Sequence, residues 1–170
     1  NGKTTISYLM DSIVSAAGHK AGLIGTINYR IGERIIPATN TTPGPVELYN
    51  FMSKMLQNSI DHLVMEVSSH SLDQRRVEGI GFAAAIFTNL TGDHLDYHKT
   101  MEGYFEAKAK LFEGLDSGSY GIINIDDEWG KKLLRRSKGR VMTYGTKQGA
   151  DFLAGGIELS LNGTVFIIDT

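Results

Sequence analysis

Cysteine is missing from all 170 residues, which excludes disulfides and thiolate metal sites and is compatible with a reducing compartment. Long apolar runs are missing as well. None approaches the roughly 18 residues of a membrane span, so no membrane insertion is expected, and no signal peptide is read at the start. An excess of either charge is also lacking: 17 basic against 19 acidic residues leave a net charge of −2. That balance excludes nucleic-acid binding by bulk charge and a polybasic membrane-surface role. What is present is enough apolar sequence for a core, at 41% hydrophobic and 21% charged residues. Glycine is in excess, 20 of 170 against a usual ~7%, so many positions call for tight turns or close backbone approach.

The length is that of about one domain, and no repeat or flexible linker divides it, so one compact unit is expected. Ile6, Leu9, Met10, Ile13, Val14 and Ala17 recur at helical spacing and stop at Gly18. Residues 22–37 read as extended, with a hairpin at Gly32. Pro45 can open a helix carrying Val46, Leu48, Phe51, Met52, Met55 and Leu56. Short apolar strands follow at 62–67, 83–88, 120–125 and 140–144, with helices at about 101–113 and 127–137. Apolar strands alternating with helices predict an α/β fold: a mostly parallel sheet of P-loop type, flanked by helices on both faces. Near the C-terminus, residues 156–168 predict a small antiparallel hairpin around Asn162-Gly163.

Five segments carry candidate chemistry. Asn1-Gly2-Lys3-Thr4-Thr5 reads as the tail of a phosphate-binding loop. Gly2 admits phosphate oxygens to the backbone, Lys3 reaches the β- and γ-phosphates, and the Thr4 hydroxyl sits on Mg²⁺. The plain alternative is the first turn of a helix. The chain opens inside this motif, at Asn1, and reads as a piece of a longer protein. Glu66 ends an apolar strand, at the edge where ligands bind in open α/β sheets. A carboxylate there suits Mg²⁺, or is merely solvated beside a helix capped by Ser68 or Ser69. Residues 88–98 hold His94, His98, Asp93 and Asp96 after another strand; they fit a Mg²⁺ or phosphate site, or a polar loop with Asp96 as a cap. Lys108 and Lys110 read as the solvated face of a helix, and spacing alone marks neither. Asn124, Asp126 and Asp127 can bond a purine edge or cap the helix that follows.

Taken in order, NGKTT at 1–5, NTTPGP at 40–45, EVSSHSLDQRR at 66–76 and TNLTGDHLDYHKTMEGYFEAK at 88–108 resemble the Mur ligases of peptidoglycan synthesis. The likeness is to the branch that adds the third stem-peptide residue, meso-diaminopimelate or L-lysine, to UDP-MurNAc-L-Ala-D-Glu. It covers nearly the whole chain, and it implies the central ATP-binding domain, residues 1–170, cut at the phosphate loop and towards the C-terminal end. It implies ATP and two Mg²⁺ ions as cofactors, with UDP-MurNAc-dipeptide and an amino acid as small-molecule partners. A monomer in the bacterial cytoplasm is expected, and from composition neither nucleic-acid binding nor membrane insertion. By the same resemblance, Asn1, Gly2, Lys3, Thr4 and Thr5 hold phosphates, with Asn124, Asp126 and Asp127 near the adenine. Thr4, Glu66, His94 and Lys108 bind metal, Lys108 as a carbamate. Thr41, Thr42, Ser68, Gln74 and Arg76 hold the UDP-MurNAc-dipeptide. Two alternatives stay open: a folylpolyglutamate synthase-like or cyanophycin synthetase-like ligase, and a P-loop nucleotide-binding module without ligation activity.

Overall fold

The computed structural model describes all 170 residues. The single compact unit expected from the sequence is not found; the chain sorts into two, Gly2–Gly79 and Ile80–Thr170, the latter including Asn1. The division falls after Gly79, where no change of composition marks it.

The amino-terminal unit begins with α1 (Lys3–Ala16), followed by β1 (Ala21–Ile24), β2 (Asn28–Ile31) and β3 (Arg34–Pro37). Then come α2 (Pro45–Gln57), β4 (His62–Met65) and the short α3 (Ser69–Asp73). Its sheet runs β3-β2-β1-β4, with β1 parallel to β4 and antiparallel to β2. The extended stretch 22–37 is thus three strands, broken at 25–27 as well as at Gly32, whose φ of 58° suits glycine. All four β1 residues are buried, as a central strand covered on both faces requires. Leu48, Phe51 and Met55 bring α2 onto this core, and the Tyr29 ring meets Phe51 edge-on at 5.0 Å. Gly22 permits that approach: a Cβ there would sit 2.6 Å from the Met55 methyl.

Helix α1 forms where its periodicity predicts, but turns another face inward. Ser7 and Asp11 are its buried residues, whereas Leu9 and Ile13 are exposed. The reason is a partner on the sheet: Asp11 pairs with Arg30 of β2. The pair lies on that inward face, with Asp11 10% and Arg30 30% exposed.

The carboxy-terminal unit holds β5 (Ala84–Phe87), α4 (Leu95–His98), α5 (Met101–Glu113), β6 (Tyr120–Asn124) and α6 (Glu128–Leu133). It continues through β7 (Arg140–Gly145), β8 (Phe152–Ser160) and β9 (Gly163–Asp169). Its sheet has the order β5-β6-β7-β8-β9, parallel up to β8, with β9 antiparallel. This is the expected mostly parallel sheet with a terminal hairpin. The core joins Phe87, Leu90, Tyr104, Phe105, Phe112, Ile123 and Leu133. The hairpin turns one residue earlier than Asn162-Gly163: Ser160 pairs with Gly163, leaving Leu161 and Asn162 at the tip. Helix α6 stops at Leu133, short of 137, and gives way to a turn over 134–136 in which the Arg136 and Ser137 amides both bond the Leu133 carbonyl. Every residue of β9 is exposed.

Candidate active site

In the amino-terminal unit the site gathers at the carboxyl ends of β1 and β4. Gly2 precedes α1 with φ 81°, a left-handed conformation that glycine adopts without strain, and no atom lies within 4 Å of where a Cβ would project. Lys3, Thr4 and Thr5 form the first turn of α1. The Thr4 hydroxyl donates to Glu66 Oε2 at 3.0 Å. Glu66 is only 3% exposed, so the solvated carboxylate considered from sequence is not what forms. Thr26 completes its shell, donating from its amide to Oε1 at 2.9 Å and from its hydroxyl to Oε2 at 3.1 Å. With three donors the buried carboxylate is held at a fixed place. Gly25 leaves it room, since a Cβ there would lie 2.5 Å from Oε1.

The candidate substrate residues continue from this carboxylate as one connected set. Thr41 Oγ1 lies 3.1 Å from Thr26 Oγ1. Thr42, 1% exposed, donates from its hydroxyl to the Glu66 carbonyl at 2.8 Å and accepts from the Ser68 amide at 3.1 Å. Ser68 caps α3 by accepting from the Ser71 amide at 3.1 Å. Arg76 donates to the Thr42 carbonyl at 2.8 Å and, through Nε and Nη2, to Gln74 Oε1 at 2.9 and 2.6 Å. Thr42→Val keeps the shape and leaves the Ser68 amide and Glu66 carbonyl without their side-chain partner. We expect it to lower stability by about 1–3 kcal/mol, read as a lower urea midpoint at unchanged slope, while Thr42→Ser stays near the parent.

In the carboxy-terminal unit His94 precedes α4 in a left-handed conformation, φ 60° and ψ 24°. Tyr104, buried in α5, organises its surroundings: the His98 ring stacks on it at 5.0 Å and His94 meets it edge-on at 6.1 Å. Lys108 stands one helical turn further on, its Nζ 5.2 Å from the centre of the Tyr104 ring. It is half-buried between buried Ala107 and Ala109, so the solvated face read from sequence holds for Lys110 and not for Lys108. Arg136 fixes the helix. It bonds Glu106 through both terminal nitrogens at 3.0 and 2.9 Å and Glu113 through Nε at 2.5 Å. Arg136 holds the Glu106 carboxyl below its ordinary pKa.

Asp96 does not cap α4, which lacks a side-chain cap. Asn1 is held by the segment after β5: its carbonyl accepts from Thr88 Oγ1 at 2.8 Å and its side-chain amide donates to Thr91 Oγ1 at 3.3 Å. Asn124 donates to the Thr88 carbonyl at 2.8 Å and accepts from the Asp126 amide at 2.9 Å. Asp127 caps α6, accepting from the Trp129 and Gly130 amides, and takes the Leu90 amide at 3.0 Å. Asp126 accepts from Thr146 and Lys147 amides at 2.7 and 3.2 Å. Burial pushes the Asp126 carboxyl up, but those donors prevail and hold it below the usual range.

The structure therefore joins Thr4, Thr41, Thr42, Glu66, Ser68, Gln74 and Arg76 in one network, and places His94, Lys108, Asn124, Asp126 and Asp127 in the other unit. Thr26, Tyr104 and Arg136 were missed by sequence reasoning. Thr26 had a signal, since it follows β1 as Glu66 follows β4. Tyr104 had only its i, i+4 relation to Lys108, and Arg136 had none.

The Mur ligase middle-domain profile matches residues 1–170. The chain belongs to the Mur ligase family. As a Mur ligase middle domain it is 46% identical over 176 aligned residues to the UDP-N-acetylmuramoyl-L-alanyl-D-glutamate--2,6-diaminopimelate ligase of Bacillus cereus, covering 100% of this chain and 36% of that protein. The Aquifex aeolicus ligase of the same name is 49% identical over 147 residues, 86% of this chain and 30% of its own. The chain thus spans about a third of the length of these relatives. A solved ligase structure of that name superposes with TM-score 0.88 at 32% identity, over 99% of this chain and 35% of the other. E. coli FolC in complex with DHPP and ADP, at TM-score 0.65 and 18% identity over 97% of this chain and 45% of its own, shares the fold.

Proposed function

We propose that this Mur ligase middle domain is the ATP-handling part of an enzyme that joins 2,6-diaminopimelate to UDP-MurNAc-L-Ala-D-Glu in peptidoglycan synthesis. The buried Glu66 carries the reading. It is bonded directly to Thr4 in the phosphate-loop turn and, through Thr42, to Ser68 and Arg76, so nucleotide and acceptor elements share one framework. The names of the Bacillus and Aquifex relatives support the substrate and the amino acid. A free carboxylate has no leaving group, so the reading has it phosphorylated by ATP to an acyl phosphate, from which the incoming amine displaces phosphate.

The donor set fits a hard cation: Thr4 Oγ1 and Glu66 Oε2 are oxygens 3.0 Å apart on a rigid support. Thr4 and Glu66 would hold one Mg²⁺ ion in the amino-terminal unit, and His94 and Lys108 a second in the carboxy-terminal unit; the chemistry such ions would supply is charge neutralisation during phosphoryl transfer. Lys108 takes part as a carbamate: its Nζ bonds the carbon of CO₂ and gives up a proton, turning an amine into an anionic oxygen ligand. Gly2 and the α1 amides bind phosphate oxygens, Lys3 places its ammonium on the β- and γ-phosphates, and Asn1 and Thr5 flank them. Asn124, Asp126 and Asp127 shape the adenine end. Thr41, Ser68, Gln74 and Arg76 orient the UDP-MurNAc-dipeptide, with buried Thr42 holding their backbone. The reading places a monomer in the bacterial cytoplasm; no helix is long and apolar enough to cross a membrane.

Release of ADP by the full-length protein decides the substrate. Turnover is expected with UDP-MurNAc-L-Ala-D-Glu and 2,6-diaminopimelate, and none with a folate and glutamate. Turnover with the folate alone overturns the assignment in favour of a folylpolyglutamate synthase-like enzyme.

A further inference from the structure

The opposite ends of β1 and β4 hold a second cluster that the ligase reading does not use. His19 lies in the turn between α1 and β1, and Asp61 and His62 stand where the chain enters β4. Asp61 Oδ2 is 3.1 Å from His19 Nδ1, and Oδ1 is 3.0 Å from His62 Nδ1. The two imidazole centres are 4.7 Å apart, and one ligand atom from each of the three residues falls within 4.8 Å of the others.

From this arrangement we infer that His19, Asp61 and His62 form a site for a borderline divalent transition ion of the Zn²⁺ class.

The ligand chemistry selects the ion. Two imidazoles and one carboxylate suit zinc and its neighbours, whereas Mg²⁺ and Ca²⁺ prefer oxygen alone. The two nitrogen–oxygen separations run to different oxygens of Asp61, so the carboxylate lies between the imidazoles, and the three ligand atoms close from within 4.8 Å to the roughly 3.3 Å edge of a tetrahedral ion with ~2.0 Å bonds by rotation of exposed side chains. The remaining corner is left to water, because all three side chains are about half exposed, at 51%, 52% and 46%.

The backbone already holds the cluster in place. His62 pairs with Ala21 in the β1–β4 ladder, and the Lys20 carbonyl accepts from the amides of Asp61 and His62 at 3.3 and 3.2 Å. The Lys20 amide donates to Asp61 Oδ1 at 3.1 Å. The four-residue strands separate this site from Glu66 by about 13 Å of rise, at ~3.3 Å per residue. A bound ion would staple the α1–β1 turn to the start of β4.

Calorimetric titration of the full-length protein with ZnCl₂, in buffer saturated with Mg²⁺ to occupy any hard-cation site, tests the inference. One Zn²⁺ per chain is expected. His19→Gln and His62→Gln should each weaken it by at least about tenfold, the loss that even an outer partner of a metal ligand produces. Both positions are exposed, and an unchanged far-ultraviolet dichroism spectrum confirms that each variant is folded. Failure of the parent protein to bind Zn²⁺ overturns the site, as does equal affinity in the double variant.

Discussion

Alanine at Lys108 is expected to lower kcat of the proposed ligation by the full-length protein by about 10²–10³-fold, the usual cost of losing one preorganised electrostatic contact. A small carboxylate such as acetate or formate, added at high concentration, should restore part of the rate by supplying the anionic oxygens of the proposed carbamate. The substitution is clean structurally. Alanine is the best helix former, and α5 keeps its buried Tyr104, Ala107 and Ala109 and its Arg136 clamp on Glu106 and Glu113. Lost activity therefore reports on chemistry instead of folding, which the thermal midpoint of the variant checks. Near-parental activity with no response to added carboxylate would falsify the carbamate assignment.

The second large effect is on stability. A Cβ at Gly130 would lie 1.9 Å from the Asn124 carbonyl oxygen, 3.1 Å from its carbon and 3.3 Å from the Phe87 ring. The obstruction is backbone at the end of β6, which cannot rotate aside as a side chain can, and Gly130 is the third residue of α6. Gly130→Ala must push α6 off the sheet and open the packing of Leu133 on the core. We expect a loss of about 3 kcal/mol, at the upper end for overpacking, measured by urea unfolding. Gly118→Ala is the matched control. Nothing lies within 4 Å of its Cβ position, so its change should stay within about 0.5 kcal/mol. An unchanged midpoint in Gly130→Ala would mean that α6 does not rest on Asn124.

Much of this was legible in the residues, for reasons that differ by position. The α/β alternation, the Pro45 helix start and the Ser68 cap are local signals, and the structure has each of them. Which face of α1 points inward was not local: it depends on Arg30, 19 residues from Asp11, and apolar periodicity contains nothing about that ion pair. Glu66 was located at the correct sheet edge, but its burial depends on Thr4 and Thr26, 62 and 40 residues away. Lys108 shows the same limit, since burial of one lysine and exposure of its neighbour two positions on is decided by what packs against α5. The Asn162-Gly163 signal found its hairpin and missed the register by one residue. Family resemblance supplied the proposed roles that spacing could not.

Taken by themselves, residues 1–170 leave β9 bare, and that has a consequence for handling this segment in concentrated solution. It is the last strand of its sheet, so one edge has no pairing partner, and its run Val165-Phe166-Ile167-Ile168 is apolar, uncharged and free of proline. Such a segment, unshielded, is a template for intermolecular strand addition and for cross-β stacking. The charges nearest to the run, Glu158 and Asp169, flank it as the gatekeepers that oppose such growth.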